Sequence, residues 1–192
     1  MKLNNKYYIL RHGEARSNVE HVVSCWPEKF ENHLTEAGVE KIKNVAEELK
    51  NKNIELIFTS PLLRAEETAG IVAKIFDIKP KKDKRLRELG FGKLNGKSEE
   101  EFTKYFKNVE ERLKRRSPNG ENFADVLKRV WVFFKEINKK YKDKNILIVS
   151  HQVPLLLLLG KLNGHSIMDS LGAISHIPGE KRITRGELIE VN

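Results

Sequence analysis

Asn145-Ile146-Leu147-Ile148-Val149-Ser150 is the segment that most narrows what this chain can fold into. A continuous β-branched and aliphatic run, with no polar alternation, suits a strand buried on both faces. Such strands belong to parallel sheets covered by helices on either side. The neighbouring sequence agrees. Upstream, Phe123, Val126, Leu127, Val130, Phe134, Ile137 and Tyr141 recur with helical spacing for some five turns, and downstream Pro154 is expected to open a helix through about Leu162.

The same alternation runs through the rest of the chain. Tyr7-Tyr8-Ile9-Leu10 reads as a short buried strand that stops at Arg11-His12-Gly13. Thr35 is placed to cap a helix whose apolar face is Val39, Ile42, Val45, Ala46 and Leu49. Ile54 to Phe58 reads as the next strand. Ser60-Pro61 then looks like an N-cap followed by the residue best suited to a first helical position, which predicts a helix from about Pro61 to Phe76. The basic stretch Lys79 to Arg87 reads as an exposed edge or loop. Ser98-Glu99-Glu100-Glu101 matches a capping box and predicts a helix from about Ser98 to Val109. Ala173 to Ile177 and Ile183 to Val191 are expected to be two closing strands around a Pro178-Gly179 turn. The whole pattern predicts an α/β fold, a three-layer α/β/α sandwich with a mostly parallel central sheet, in one domain over 1–192.

Composition narrows the class further. With 39% hydrophobic and 33% charged residues and only 12 Gly and 6 Pro, collagenous and fully disordered chains are excluded. A net charge of +9 favours anionic partners without choosing among phosphorylated small molecules, nucleic acid and membrane surfaces. The basic residues are mostly interleaved with acids along helices, and no aromatic-basic strand motif of an RNA binder occurs, so no nucleic-acid partner is expected. The longest apolar run after Pro154, Leu155 to Leu159, is far short of the ~20 residues of a membrane helix, so no membrane partner is expected either. The single cysteine, Cys25, and a start without a signal-like apolar core point to the cytoplasm. Oligomeric state stays open, a homodimer included.

In an open parallel sheet, ligands bind beyond the carboxyl ends of the strands, where three loops here carry chemistry. Arg11-His12-Gly13-Glu14 pairs a guanidinium suited to phosphate oxygens with an imidazole able to attack phosphorus. Arg64 falls in the first turn of a predicted helix, near backbone N–H groups that favour anions. Ser150-His151 puts a second imidazole at the mouth of the buried strand, where a polar group needs a partner or a task. Taken singly, ordinary surface or a satisfied structural histidine is the better account, and the weight comes from the motifs occurring together. His21, His33, His165 and His176 are scattered without metal-ligand spacing, so neither a metal nor another cofactor is expected. Cys25 is expected to be partly exposed, with Trp26, Phe30 and His33 as candidate pocket caps. Phe102, Tyr105 and Phe106 could form either core or a lid.

Leu10-Arg11-His12-Gly13-Glu14 with Asn18, Thr59 to Ala69, Leu86-Arg87-Glu88-Leu89-Gly90 through Gly96, and Val149-Ser150-His151 together resemble the histidine phosphatase superfamily, which also contains the cofactor-dependent phosphoglycerate mutases. The likeness runs from about Tyr7 to Leu162 and implies a phosphoglycerate mutase-like fold. It implies that His12 is the nucleophile, that Arg11, Arg64 and His151 surround the phosphate, and that Asn18 adds a hydrogen bond. Glu88 matches the family's acid and base, a role that needs a raised pKa and neighbouring Arg85 and Arg87 turned away from it. Glu14 ranks below Glu88.

Ala15, Ser17 and Gln152 depart from residues common in the family, and Gln152 is counted with the phosphate-binding positions. These departures bear on substrate choice more than on chemistry. The chain also lacks the extra segment that mutases carry between the acid motif and the second histidine. The resemblance therefore implies a metal-independent phosphomonoesterase acting on a small phosphorylated substrate, with a 2,3-bisphosphoglycerate-dependent phosphoglycerate mutase and a phosphoprotein phosphatase as alternatives.

Overall fold

The computed structural model describes residues 1–108, 110–172 and 183–191. In chain order these form β1 (Lys6–Arg11), α1 (Arg16–Val19), α2 (Glu36–Leu49), β2 (Leu56–Thr59), α3 (Leu63–Phe76), β3 (Lys81–Lys82), α4 (Glu99–Tyr105), α5 (Glu111–Lys114), α6 (Phe123–Lys140), β4 (Asn145–Ser150), α7 (Gln152–Leu162), α8 (Ile167–Gly172) and β5 (Leu188–Val191). The sheet order is β3-β2-β4-β1-β5. All pairings are parallel except that between β1 and β5. The expected three-layer α/β/α sandwich with a mostly parallel central sheet is what forms.

Strand side chains alternate between faces, and each face meets its own pair of helices. Tyr7, Ile9, Ile146 and Ile148 pack with Val130, Phe134 and Ile137 of α6 and Leu155 and Leu158 of α7. Tyr8, Leu10, Ile57, Leu147 and Val149 pack with Ile42, Val45 and Leu49 of α2 and Ala65, Ala69 and Val72 of α3. β1 and β4 are therefore apolar on both faces, as the run at 145–150 demands. Truncating one of their fully buried side chains to Ala costs roughly 2–5 kcal/mol. Because β1, β2 and β4 are parallel, their carboxyl ends lie on one rim, and the loops after them share it.

Local start signals explain several helix boundaries. The Thr35 hydroxyl accepts from the Gly38 N–H at the start of α2, and Ser98 with Glu101 forms the expected capping box of α4. Two boundaries differ from expectation. α3 begins at Leu63 behind an uncapped Leu62, two residues beyond Pro61, and the Ser60 hydroxyl is turned toward the loop after β4. α7 begins at Gln152 with Pro154 inside its first turn, where an amide N–H has no helical partner to lose.

α4 stops at Tyr105, short of the predicted end at Val109, which lies outside the described residues, as do Ala173 to Ile177, the Pro178-Gly179 turn and His176. The closing strand is confined to Leu188–Val191. Lys81–Lys82 does form the edge strand expected of the basic stretch. Among the described residues, no helix is long and apolar enough to cross a membrane.

Candidate active site

The three loops converge on a cavity of about 430 Å³ lined by Arg11, His12, Asn18, Arg64, Glu88 and Gln152. His12 is brought there by the end of β1, and Gly13 lets the loop settle onto α2: a Cβ at Gly13 would sit 2.9 Å from the Gly38 carbonyl oxygen. The His12 ring is buried, with Nδ1 2.7 Å from the Gly13 carbonyl oxygen. A carbonyl can only accept, so Nδ1 carries the proton and Nε2 keeps its lone pair. Arg64 donates from Nε to that lone pair over 3.2 Å. Burial first, then the charges of Arg64, Arg11 and Arg185, hold the His12 pKa well below its ordinary 6.5. The imidazole is neutral, as a nucleophile must be.

Arg64, in the first turn of α3, is itself buried. Its guanidinium donates to the Ser24 carbonyl oxygen at 3.0 Å and pairs with Glu28 at 3.3 Å. Glu28 also accepts from the Leu63 N–H at 2.9 Å, so one carboxylate fixes both the helix start and the arginine. Thr68 accepts from the Gly13 N–H and donates to the Arg64 carbonyl oxygen, tying the two motifs together. Arg11 donates to the Ile183 carbonyl oxygen at 2.7 Å and to Gln152. Gln152 thereby aims Arg11 as well as lining the cavity.

His151 lies fully buried, its ring centroid 5.0 Å from that of His12, and its Nε2 shares a 2.8 Å hydrogen bond with the Ser60 hydroxyl. Its Nδ1 has no partner among the described residues. Burial and the nearby Arg64 and Arg11 hold this imidazole neutral too. Asn18 lines the cavity while its side-chain oxygen accepts from the Ala15 N–H, which leaves the amide NH2 as the donor for a ligand.

Glu88 faces the same cavity from the segment after β3. Burial raises its pKa above the ordinary 4.5 and outweighs the opposing Leu89 N–H and the Arg64, Arg11 and Arg129 charges. Arg85 and Arg87 do turn away: Arg85 pairs with Asp83 and Glu136, and Arg87 donates to the Lys84 carbonyl oxygen. Glu14 accepts from the Thr35 hydroxyl and does not line this cavity.

The structure adds residues that motif reading missed. Arg129 donates to the Arg85 and Glu88 carbonyl oxygens and pairs with Glu121, which also accepts from the Gly90 N–H. This clamp from α6 fixes the segment that carries Glu88. Its sequence signal is an acid just before a helix start and a base eight residues on. Arg185 lines the cavity and acts on His12 from the chain's far end, where no motif announces it.

Two smaller expectations are corrected. Cys25 is buried, its sulfur accepting from the Phe91 N–H, and burial pushes the thiol up. Trp26, Phe30 and His33 are not among the cavity's lining residues, whereas Phe102 is both lining and part of a small core with Phe91, Phe106 and Phe123. Among the described residues no group of three or more His, Cys, Asp or Glu is placed to hold a metal.

Fold and site together define an α/β protein with a histidine-arginine anion site at the strand ends. The family profile of the histidine phosphatase superfamily (branch 1) matches residues 7–174, and the chain belongs to that superfamily. It is 29% identical over 164 residues to phosphoserine phosphatase 1 of Hydrogenobacter thermophilus, covering 83% of this chain and 76% of the relative. It is 31% identical over 136 residues to a 2,3-bisphosphoglycerate-dependent phosphoglycerate mutase of Nitrobacter winogradskyi, covering 66% and 64%. The crystal structure of the alpha-ribazole phosphatase from Shigella flexneri superposes with a TM-score of 0.81 at 26% identity, covering 97% of this chain and 90% of that one.

Proposed function

We propose that the protein is a metal-independent phosphomonoester hydrolase that works through a phosphohistidine on His12 and acts on a small phosphorylated metabolite. The observation that carries this is the His12 ring, with Nδ1–H locked to a backbone carbonyl and the Nε2 lone pair held by Arg64 beside an open-mouthed cavity. Nε2 attacks phosphorus as the ester P–O bond breaks, and Glu88 gives its proton to the departing alkoxide. Arg64, losing its bond to Nε2 at that moment, turns its N–H to a phosphate oxygen. With Arg11 it offsets the charge spread over the equatorial oxygens, the main demand of phosphoryl transfer, while the neutral His151 contributes as an N–H donor. In the second step water attacks phosphorus, its proton passes to the Glu88 carboxylate, the N–P bond breaks and inorganic phosphate leaves. Asn18 and Gln152 complete the cradle, one as donor and one through Arg11. The phosphatase names among the relatives support hydrolysis, and a cavity rather than a flat face supports a small substrate over a phosphoprotein.

The test is phosphate release from a panel of monoesters in EDTA, with 3-phosphoglycerate supplied with and without 2,3-bisphosphoglycerate. Release without added metal is expected. Isomerisation to 2-phosphoglycerate that requires the bisphosphate, with no release, would make the protein a mutase instead, the activity in the name of one relative.

The pKa directions fix the pH dependence. A lowered His12 keeps the nucleophile neutral far into acid, so the acid limb of kcat/KM lies well below pH 6.5. A raised Glu88 keeps the general acid protonated above its ordinary 4.5, so activity on alkyl esters falls on an alkaline limb set by its ionisation. The profile is expected to be a bell displaced to acid. A profile that rises through neutral pH would contradict both assignments.

A further inference from the structure

Four arginines line the cavity, and one of them stands apart. Arg11, Arg64 and Arg185 act on His12, whereas Arg112 comes from α5 at the aromatic end, beside Phe102. Its guanidinium lies 5.1 Å from the Phe102 ring centroid and 5.5 Å from that of Phe106. Those two rings pack edge to face against each other at 5.4 Å, so the shelf beneath the guanidinium is fixed.

What Arg112 lacks is an anion. Among the described residues it makes no ion pair and no hydrogen bond, and its Nε is buried without a partner. Among the described residues Glu111 is engaged by Arg115, and Glu99, the carboxylate that lines the cavity at the same end, makes no ion pair with Arg112. A half-buried guanidinium laid over apolar rings, with its Nε cut off from water and from any protein acceptor, is costly unless a ligand completes it. Burial acts on it without any offsetting carboxylate.

We propose that Arg112 is a specificity residue that receives a carboxylate carried by the substrate at the end remote from its phosphate. The inference rests on the hydrolase reading above. A carboxylate matches the geometry and the charge: it accepts two parallel N–H bonds from a guanidinium, and its single charge answers one arginine unaccompanied by a second cation at that end. The phosphate goes to the histidines, the carboxylate to Arg112, and the short carbon body between them lies against Val22, Phe91 and Phe123.

The test uses two esters that differ at one group, 3-phosphoglycerate and glycerol 3-phosphate, titrated by calorimetry into the full-length His12→Ala protein, which binds without turnover. The parent is expected to prefer the carboxylate ester by about tenfold or more. Adding Arg112→Gln is expected to abolish that preference by weakening 3-phosphoglycerate alone, and Arg112→Lys to restore part of it.

Equal affinity for both esters in the parent, a preference that survives Arg112→Gln, or an equal weakening of both would overturn the proposal. A melting curve separates lost folding from lost recognition. Turnover of p-nitrophenyl phosphate by the wild type is measured alongside. Its absence would sink the hydrolase reading while the affinity ratio still decides the role of Arg112.

Discussion

His12→Ala is expected to lower kcat/KM on every phosphate monoester by on the order of 10⁴-fold or more. The loss should not depend on the leaving group, because the variant lacks the atom that forms the new bond to phosphorus. The arginine cradle survives the substitution, since Arg64 remains held by Ser24 and Glu28 and Arg11 by Ile183 and Gln152. Substrate should therefore still bind, with little change in affinity. The intermediate supplies the direct readout: brief mixing with ³²P-labelled substrate, followed by alkaline denaturation, should leave label on the wild type and none on His12→Ala.

His151→Ala makes the control. Its ring lies beside His12 with an unpartnered Nδ1, so geometry alone does not dismiss it as the acceptor. If it only stabilises the transferring phosphoryl group, its removal costs about 10²–10³-fold while label still accumulates. Label lost from His151→Ala and kept by His12→Ala would exchange the two roles.

The parts of this site that were legible in sequence are those whose chemistry and backbone position coincide. Arg11-His12 and Ser150-His151 follow runs so apolar that they had to be buried strands, and a polar residue at such an exit needs a purpose. Arg64 was legible because a helix start and a guanidinium favour the same kind of ligand. Ser60 shows where the local rule fails. Its sequence neighbours predict a helix cap, and its hydroxyl does accept from the Leu62 N–H, but it also meets the buried His151 imidazole and the helix starts only at Leu63.

The clamp of Arg129 and Glu121, the support of Glu28 and the approach of Arg185 were illegible for a different reason. Each acts across the fold on a backbone carbonyl, a backbone N–H or a field, through pairings with no sequence period. Cys25 was misplaced on the surface because a loop of polar residues reads as exposed, whereas this one folds inward over Phe91 and Asn95. In this fold, the strand ends choose the groups that face the cavity, and long-range contacts choose how they are aimed.

Glu88→Gln separates the two chemical steps. Gln keeps the shape, and its amide oxygen can still accept from the Leu89 N–H that Glu88 Oε1 now takes, so the fold should persist. Since burial already disfavours the charged carboxylate, a neutral amide there should leave thermal stability unchanged or slightly raised. Catalysis should respond by leaving group. An alkyl ester expels a strongly basic alkoxide that needs a proton, so phosphorylation of His12 is expected to slow by about 10²–10⁴-fold. p-Nitrophenolate is a weak base and leaves without one, so its release should stay fast for the first turnover.

Hydrolysis of the phosphohistidine then needs a base for water, which Gln cannot supply, and the enzyme should stall as the phosphorylated form. Stopped flow should record a burst of p-nitrophenolate equal to the enzyme concentration, then a slow steady state. The wild type, with Glu88 working in both steps, should show at most a small burst. A Glu88→Gln enzyme equally slow on both ester types and without a burst would mean that the carboxyl only shapes the cavity. A variant with unimpaired turnover on alkyl esters would move the proton to another group.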